Sequence, residues 1–306
     1  MTFPEISLAH LDDLWFQVSG TLCNIACAHC FNNSGPNVRT FGFLDPDSVR
    51  SEIEFAVRAG VKEIFFTGGE PFLHPGLPGM LCFALEHAPT TVLTNGMLIN
   101  DRMAERLAQI EQSARYSLEI RVSLDGYTEE MNDAIRGRGV FRQALAAVAR
   151  LSRQGLLPLV TIVRTWGDDE ELATLAAFSD TLRAAGYDRP RIKVLPSLPL
   201  GRELKRNTGT LRDELLSEEM LEGFDRDLLM CSNSRLVTDR GVWVCPLLIE
   251  MPDARLGPTL AQSRTSYRLA HNACVACYRY GTICGNVSSL IEGPAAQSDR
   301  SVLKQS

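Results

Sequence analysis

The chain has 306 residues, 45% hydrophobic and 22% charged, the balance of an ordinary globular protein. Its net charge of −6 argues against nucleic acid as a main partner. The longest apolar run, residues 156–163, contains Pro158 and Thr161 and is too short to span a bilayer, and the N-terminus lacks the basic and apolar regions of a secretory signal. A cytoplasmic protein with no membrane partner is expected, and in that compartment nine cysteines need an explanation other than disulfides.

Taken in chain order, the elements alternate. A short apolar strand, 14–18, leads into the loop "TLCNIACAHCF". A helix follows, with Asp45 as N-cap, Pro46 in the first turn and Gly60 after the last, and with Val49, Ile53, Ala56 and Val57 on one face. The strand "KEIFF" ends in the turn 67–71. A helix near 79–87 precedes the strand "TTVLT", which ends at Asn95 and Gly96. A helix over about 101–110 precedes "SLEIRVSL", which ends at Asp125 and Gly126. The next helix, 141–154, puts Phe141, Leu145, Val148 and Leu151 on one face. The strand "LPLVTIV" ends near Arg164, a helix spans about 168–185, and a sixth strand, "RIKVL", ends at Pro196. Six strands alternating with helices predict right-handed βα units and a parallel sheet. Six units fall short of eight, so the predicted fold is α/β, a partial (β/α)6 TIM-type barrel over residues 1–200. Chemistry in such folds sits at the C-terminal strand ends.

Residues 201–230 are charge-rich and read as a linker plus an amphipathic helix. A small cysteine-rich region, 231–290, begins with an apparent hairpin, "RLVTDRGVWVC". A polar tail, 291–306, closes the chain. His74, His87 and His271 read as structural or surface histidines, and Cys82, in an apolar helix, as a small buried hydrophobe.

The other eight cysteines fall into two groups. Cys23, Cys27 and Cys30 form C-x3-C-x2-C on one compact loop. Three thiolates there can hold three irons of a cubane and leave the fourth iron without a protein ligand, as an open catalytic metal position requires. The alternative is a zinc or cluster site completed by His29 or a distant cysteine. The second group is Cys231, Cys245, Cys274, Cys277 and Cys284. Its alternative is a structural zinc ribbon.

Together, the cysteine triplet, the "GGEP" of Gly68, Gly69, Glu70 and Pro71, the "TNG" ending at Gly96 and the "SLDG" starting at Ser123 resemble the radical S-adenosylmethionine (SAM) superfamily. The resemblance covers roughly residues 12–200. It implies a [4Fe–4S] cluster whose open iron is chelated by SAM, reductive cleavage of SAM to a 5′-deoxyadenosyl radical, and removal of a hydrogen atom from a substrate. It also implies roles. Gly68 and Gly69 would let backbone approach the methionine moiety. Glu70 would fix that loop or the ammonium group, unless it is a solvated turn carboxylate. His29 would lie near the adenine, or be an ordinary loop histidine. Asn95, Ser123 and Asp125 would bond the ribose or the methionine end. Arg136 would clamp the SAM carboxylate, or be solvated. Leu195 would pack on adenine, or be core.

The C-terminal region resembles the auxiliary-cluster extensions called SPASM and twitch. That resemblance implies Cys231, Cys245, Cys274 and Cys277 as ligands of a second [4Fe–4S] cluster, with Cys284 left over or replacing one of them. Three functions are expected to compete: turnover of a small metabolite, modification of a peptide or protein side chain, and a non-enzymatic iron–sulfur carrier or sensor. Only 22 residues precede Cys23, too few for a leader-binding domain, which favours the small substrate. An electron donor such as flavodoxin or ferredoxin is implied.

Overall fold

The computed structural model describes residues 3–198, 200–206 and 214–280. Cys284 and the polar tail lie outside them. Nine strands form one sheet. The first six run in sequence order and in parallel: β1 (Asp13–Gln17), β2 (Glu63–Thr67), β3 (Thr90–Thr94), β4 (Leu118–Ser123), β5 (Leu159–Val163) and β6 (Arg191–Leu195). The helices between them are α1 (Pro46–Arg58), α2 (Leu77–Leu85), α3 (Asp101–Ser113), α4 (Glu129–Arg136), α5 (Val140–Arg153) and α6 (Glu171–Ala184). This is the expected α/β partial barrel.

The strands alternate as a sheet covered by helices on one face must. On β1, Leu14 and Phe16 join Ile64, Phe66, Val92, Ile120 and Val122 in the core beneath the helices. Trp15 points the other way and stacks on Phe65 of β2, with centroids 4.0 Å apart and planes at 5°. Burial of these apolar side chains is the main stabilising term, at about 25 cal/mol per Å² removed from water. Helix starts follow their caps: the Asp45 side chain accepts from Ser48 N, Asn100 from Met103 N and Thr128 from Met131 N.

The C-terminal region continues this sheet. β7 (Ser234–Thr238) lies parallel to β1, with Asp13 opposite Ser234 and Phe16 opposite Val237. It turns through the expected hairpin into β8 (Gly241–Trp243), which pairs antiparallel with β9 (Arg255–Gly257). A short helix, α7 (Asn272–Tyr280), carries Cys274 and Cys277. Trp15, Phe65 and Leu236 thus share a second core with all four described cysteines of this region. Among the described residues no helix is long and apolar enough to cross a membrane.

Four expectations change. The described part of 201–230 is not one amphipathic helix: a single helical turn covers Glu203–Arg206, two 3-10 turns follow at Glu219–Leu221 and Arg226–Leu228, and the next short helix, Met230–Asn233, starts only at the end of the stretch. Gly223, with φ +73°, breaks the run, and Asp225 caps a new turn by accepting from Asp227 N. Cys82 is exposed rather than buried, because it lies with Gly79 and Glu86 on the outer face of its helix end. Val57 is 38% exposed, at the rim of the α1 face that buries Val49, Ile53 and Ala56. Helix α4 was not anticipated, although Thr128 followed by Glu129 and Glu130 is an N-terminal signature.

Candidate active site and second thiol cluster

A cavity of about 210 Å³ opens at the C-terminal ends of the strands. Cys23, Cys27 and Cys30 line it together. Their loop is fixed from two sides. On one side, the turn after β2 packs directly on it: Gly69 N donates to Gly20 O (2.8 Å) and Glu70 N to Leu22 O (3.0 Å). A Cβ on Gly69 would collide with the Leu22 carbonyl and lie 2.8 Å from Cys23 N, so glycine is required for this approach. Gly68, with φ +153°, meets Ser19 in the same way. On the other side, Arg202 donates from Nε to Cys27 O and from Nη2 to Ser34 O, each 2.7 Å, and from its backbone N to Cys30 O (2.9 Å). Sequence reasoning did not assign Arg202 a role; its signal is the adjoining Gly201, left-handed at φ +54° and pressed against the Phe31 and Cys30 carbonyls.

Glu70 is completely buried, not a solvated turn residue. Its carboxylate accepts from Thr94 Oγ1 (2.8 Å), Asn95 N (2.8 Å) and Phe72 N (3.1 Å), tying the end of β2 to the end of β3. Burial pushes its pKa up to about 7 against these bonds and the more distant Arg136 charge. Pro71, also buried, opens the 3-10 turn that Glu70 caps. Asn95 Nδ2 donates to Asn24 Oδ1 at 2.7 Å and lies 3.6 Å from Cys23 Sγ, so it serves the cysteine loop.

Asp125 does not line the cavity; it is the hub behind it. Its Oδ2 lies 2.6 Å from both His29 Nε2 and Arg136 Nε, and its Oδ1 accepts from Val163 N at 2.9 Å. Burial alone would raise this acid. The Arg136 charge, together with His29 and the Val163 N–H, outweighs burial and holds it at about 2. Three loops are thereby joined: the cysteine loop through His29, the β4 end through Asp125 and α4 through Arg136. The Arg136 side chain is committed to Asp125 by Nε while Nη1 stays 4.0 Å from Cys27 Sγ, on the cavity wall. Ser123 and Leu195 also line the cavity, with His29, Gly68, Gly69 and Asn95. His74 is structural: Gly76 N donates to its Nδ1 (3.0 Å) and its Nε2 donates to Leu44 O (2.8 Å).

The donor chemistry fits a thiolate-held cluster with one open position. Burial pushes the free Cys23 thiol up to about 12, with charge on Glu70, Cys27 and Cys30 adding to the effect; burial likewise raises Cys27, opposed by Arg136. A metal must therefore displace these protons. Among the described residues, no three His, Cys, Asp or Glu side chains converge as ligands of a single ion do. The three thiols surround a space instead.

Cys231, Cys245, Cys274 and Cys277 meet at a second, small cavity of about 20 Å³, walled by Leu229, Leu247 and Leu269. All four are buried and none is disulfide-bonded. Beside them the Arg235 guanidinium, 1% exposed, donates to the carbonyls of Cys231, Ser234 and Ser263 and has no carboxylate partner among the described residues. Burial lowers its pKa to about 10, while Cys231 and Cys245 act to raise it. A buried cation without a counter-charge is expensive. Thiolates at this site supply one, so the residues present fit an anionic metal–thiolate centre.

The model of the radical SAM superfamily matches residues 18–182, more than half of the chain, and the chain belongs to that superfamily. Membership carries the superfamily's cofactors, SAM and a [4Fe–4S] cluster. Mycofactocin maturase MftC of Mycobacterium ulcerans is 34% identical over 160 residues, covering 52% of this chain and 42% of that protein. The antilisterial bacteriocin subtilosin biosynthesis protein AlbA of Bacillus subtilis is 30% identical over 142 residues, 46% of this chain and 30% of its own. The chain thus spans well under half the length of these curated relatives. Streptococcus suis SuiB bound to precursor peptide SuiA shares the fold, with TM-score 0.63 at 16% identity over 85% of this chain and 66% of that one.

Proposed function

We propose that this chain is a radical SAM enzyme that removes a hydrogen atom from a side chain of a peptide. The observation that carries the catalytic half is the convergence of three thiols from one braced loop on a cavity at the strand ends. The substrate half is supported by the names of MftC and AlbA, a maturase and a bacteriocin biosynthesis protein.

Cys23, Cys27 and Cys30 would hold three irons of the cluster. When bound, cluster and SAM together supply a 5′-deoxyadenosyl radical. The chain's own residues position and enclose. Asp125 holds Arg136 and His29 rigid behind the thiols. Glu70 and Gly69 hold the β2 turn against them. Trp15, held by its stack on Phe65, forms part of the cavity wall. Cys231, Cys245, Cys274 and Cys277 would hold a second cluster.

The test is anaerobic reconstitution of the full chain with iron and sulfide, then reaction with SAM and dithionite in the presence of candidate precursor peptides or small metabolites. The proposal expects 5′-deoxyadenosine to rise with a peptide that loses hydrogen in the same reaction. A rise with a small metabolite alone would overturn the peptide half and leave the radical half standing. No 5′-deoxyadenosine under any condition would overturn both.

A further inference from the structure

Tyr267 belongs to the two-residue strand Tyr267–Arg268, which pairs with Glu5–Ile6 near the N-terminus, and Leu269 N donates to Pro4 O (2.8 Å) just beyond it. The backbone therefore fixes where the ring goes. The residue is 5% exposed and lines the small cavity with the four thiols. Its hydroxyl is buried and has no hydrogen-bond partner among the described residues. The other walls there, Leu247, Leu269 and Ala273, have no side-chain acceptor to offer. A buried phenol normally finds a partner, because leaving it unpaired costs free energy that a phenylalanine would not. The acceptors that a loaded site would add are sulfurs. Arg235 stands on the same side of the chemistry: a buried positive charge beside Cys231 with only carbonyl partners among the described residues.

Building on the second cluster proposed above, we infer that the Tyr267 hydroxyl donates a hydrogen bond to a sulfur of that cluster and, with the Arg235 charge, sets its reduction potential. A hydrogen bond or positive charge at the sulfurs stabilises the reduced, more negative state, so both residues raise the potential. Tyr267 is a positioning and tuning residue; it touches no substrate in this account.

The test uses the full chain with Cys23, Cys27 and Cys30 replaced by alanine, so that only the C-terminal centre can load. Iron content, an EPR-monitored redox titration and the exchangeable-proton couplings of the reduced cluster are measured with and without Tyr267→Phe. Phenylalanine keeps the ring, and circular dichroism checks the fold. The expected result is about four irons in both proteins, as one cubane requires, with a shift to more negative potential and loss of one exchangeable coupling in Tyr267→Phe. Equal potentials and equal couplings at equal iron content would overturn the role of Tyr267 alone. A triple-alanine protein that takes up no iron, or zinc in its place, would overturn the second cluster and with it this role.

Discussion

Replacing Asp125 with asparagine removes one charge from a fully buried site and strands another. Arg136 is only 8% exposed, and its one close carboxylate among the described residues is Asp125, at 2.6 Å. Breaking a buried pair from one side typically costs ~3–5 kcal/mol, because the remaining charge stays desolvated. A second route gives a similar size. Asp125 is held at about 2 against an ordinary 3.8. At 1.36 kcal/mol per pKa unit that difference is roughly 2 kcal/mol of stability. It is present above pH 3.8 and is lost as pH falls through 2. The larger figure includes the stranded arginine, so about 3 kcal/mol is the working value for Asp125→Asn at pH 7. At roughly 2–4 °C per kcal/mol for a chain of this class, Tm should fall by about 6–12 °C. The assay is thermal unfolding of the metal-free protein, run as a double-mutant cycle with Arg136→Met. The double variant should regain most of the loss, because the stranded cation is gone. A Tm for Asp125→Asn within about 2 °C of wild type, well inside the shift expected at this scale, would refute the hub.

Three further substitutions, one of them a control, test the bracing of the site and the charge at the opposite end of the barrel. Gly69→Ala drives a Cβ into the Leu22 carbonyl and should break both Gly69 N→Gly20 O and Glu70 N→Leu22 O, a loss of about 2 kcal/mol at ~1 kcal/mol each, with poor iron uptake in reconstitution; Gly79→Ala, in α2 with open space around it, should instead be tolerated or stabilise slightly. Asp13, at the start of β1 opposite Glu63, has its pKa pushed up from 3.8 to about 7 by burial and then by the Glu63 and Asp12 charges, so its penalty is absent below pH 3.8, builds up between pH 3.8 and about 7, and is fully present above that. Asp13→Asn should therefore raise Tm at pH 8 and lose that advantage by pH 4; equal gains at both values would contradict the assignment.

What was legible in the sequence is what local chemistry encodes. Asp45 with Pro46 marks a helix start wherever it occurs, and strand ends announce themselves by turn residues such as Asn95 and Gly96. The cysteine spacing and the GGEP turn identified the candidate centre because both lie on single loops. Long-range pairing was not legible. Nothing in residues 234–238 says that they will lie beside Asp13–Gln17, more than two hundred residues earlier, and the region looked separable for that reason. The Asp125 hub needs three loops to converge, so its members appeared from sequence as three independent candidates for SAM contacts. Glu70 was legible as a residue that could fix its loop, with a solvated turn carboxylate as the alternative; its burial was not, because that comes from the packing of the turn on the cysteine loop. Arg202 and Arg235 bond mainly to backbone carbonyls, which carry no sequence signature at all.

The central claim is that Cys23, Cys27 and Cys30 hold the centre that cleaves SAM. Reconstituted wild type and the Cys23→Ala/Cys27→Ala/Cys30→Ala variant can be compared directly for 5′-deoxyadenosine formed from SAM and dithionite under anaerobic conditions. Wild type should produce it, and the folded variant should produce none while it still binds iron at its C-terminal cysteines. Formation of 5′-deoxyadenosine by the variant at the wild-type rate would contradict the account.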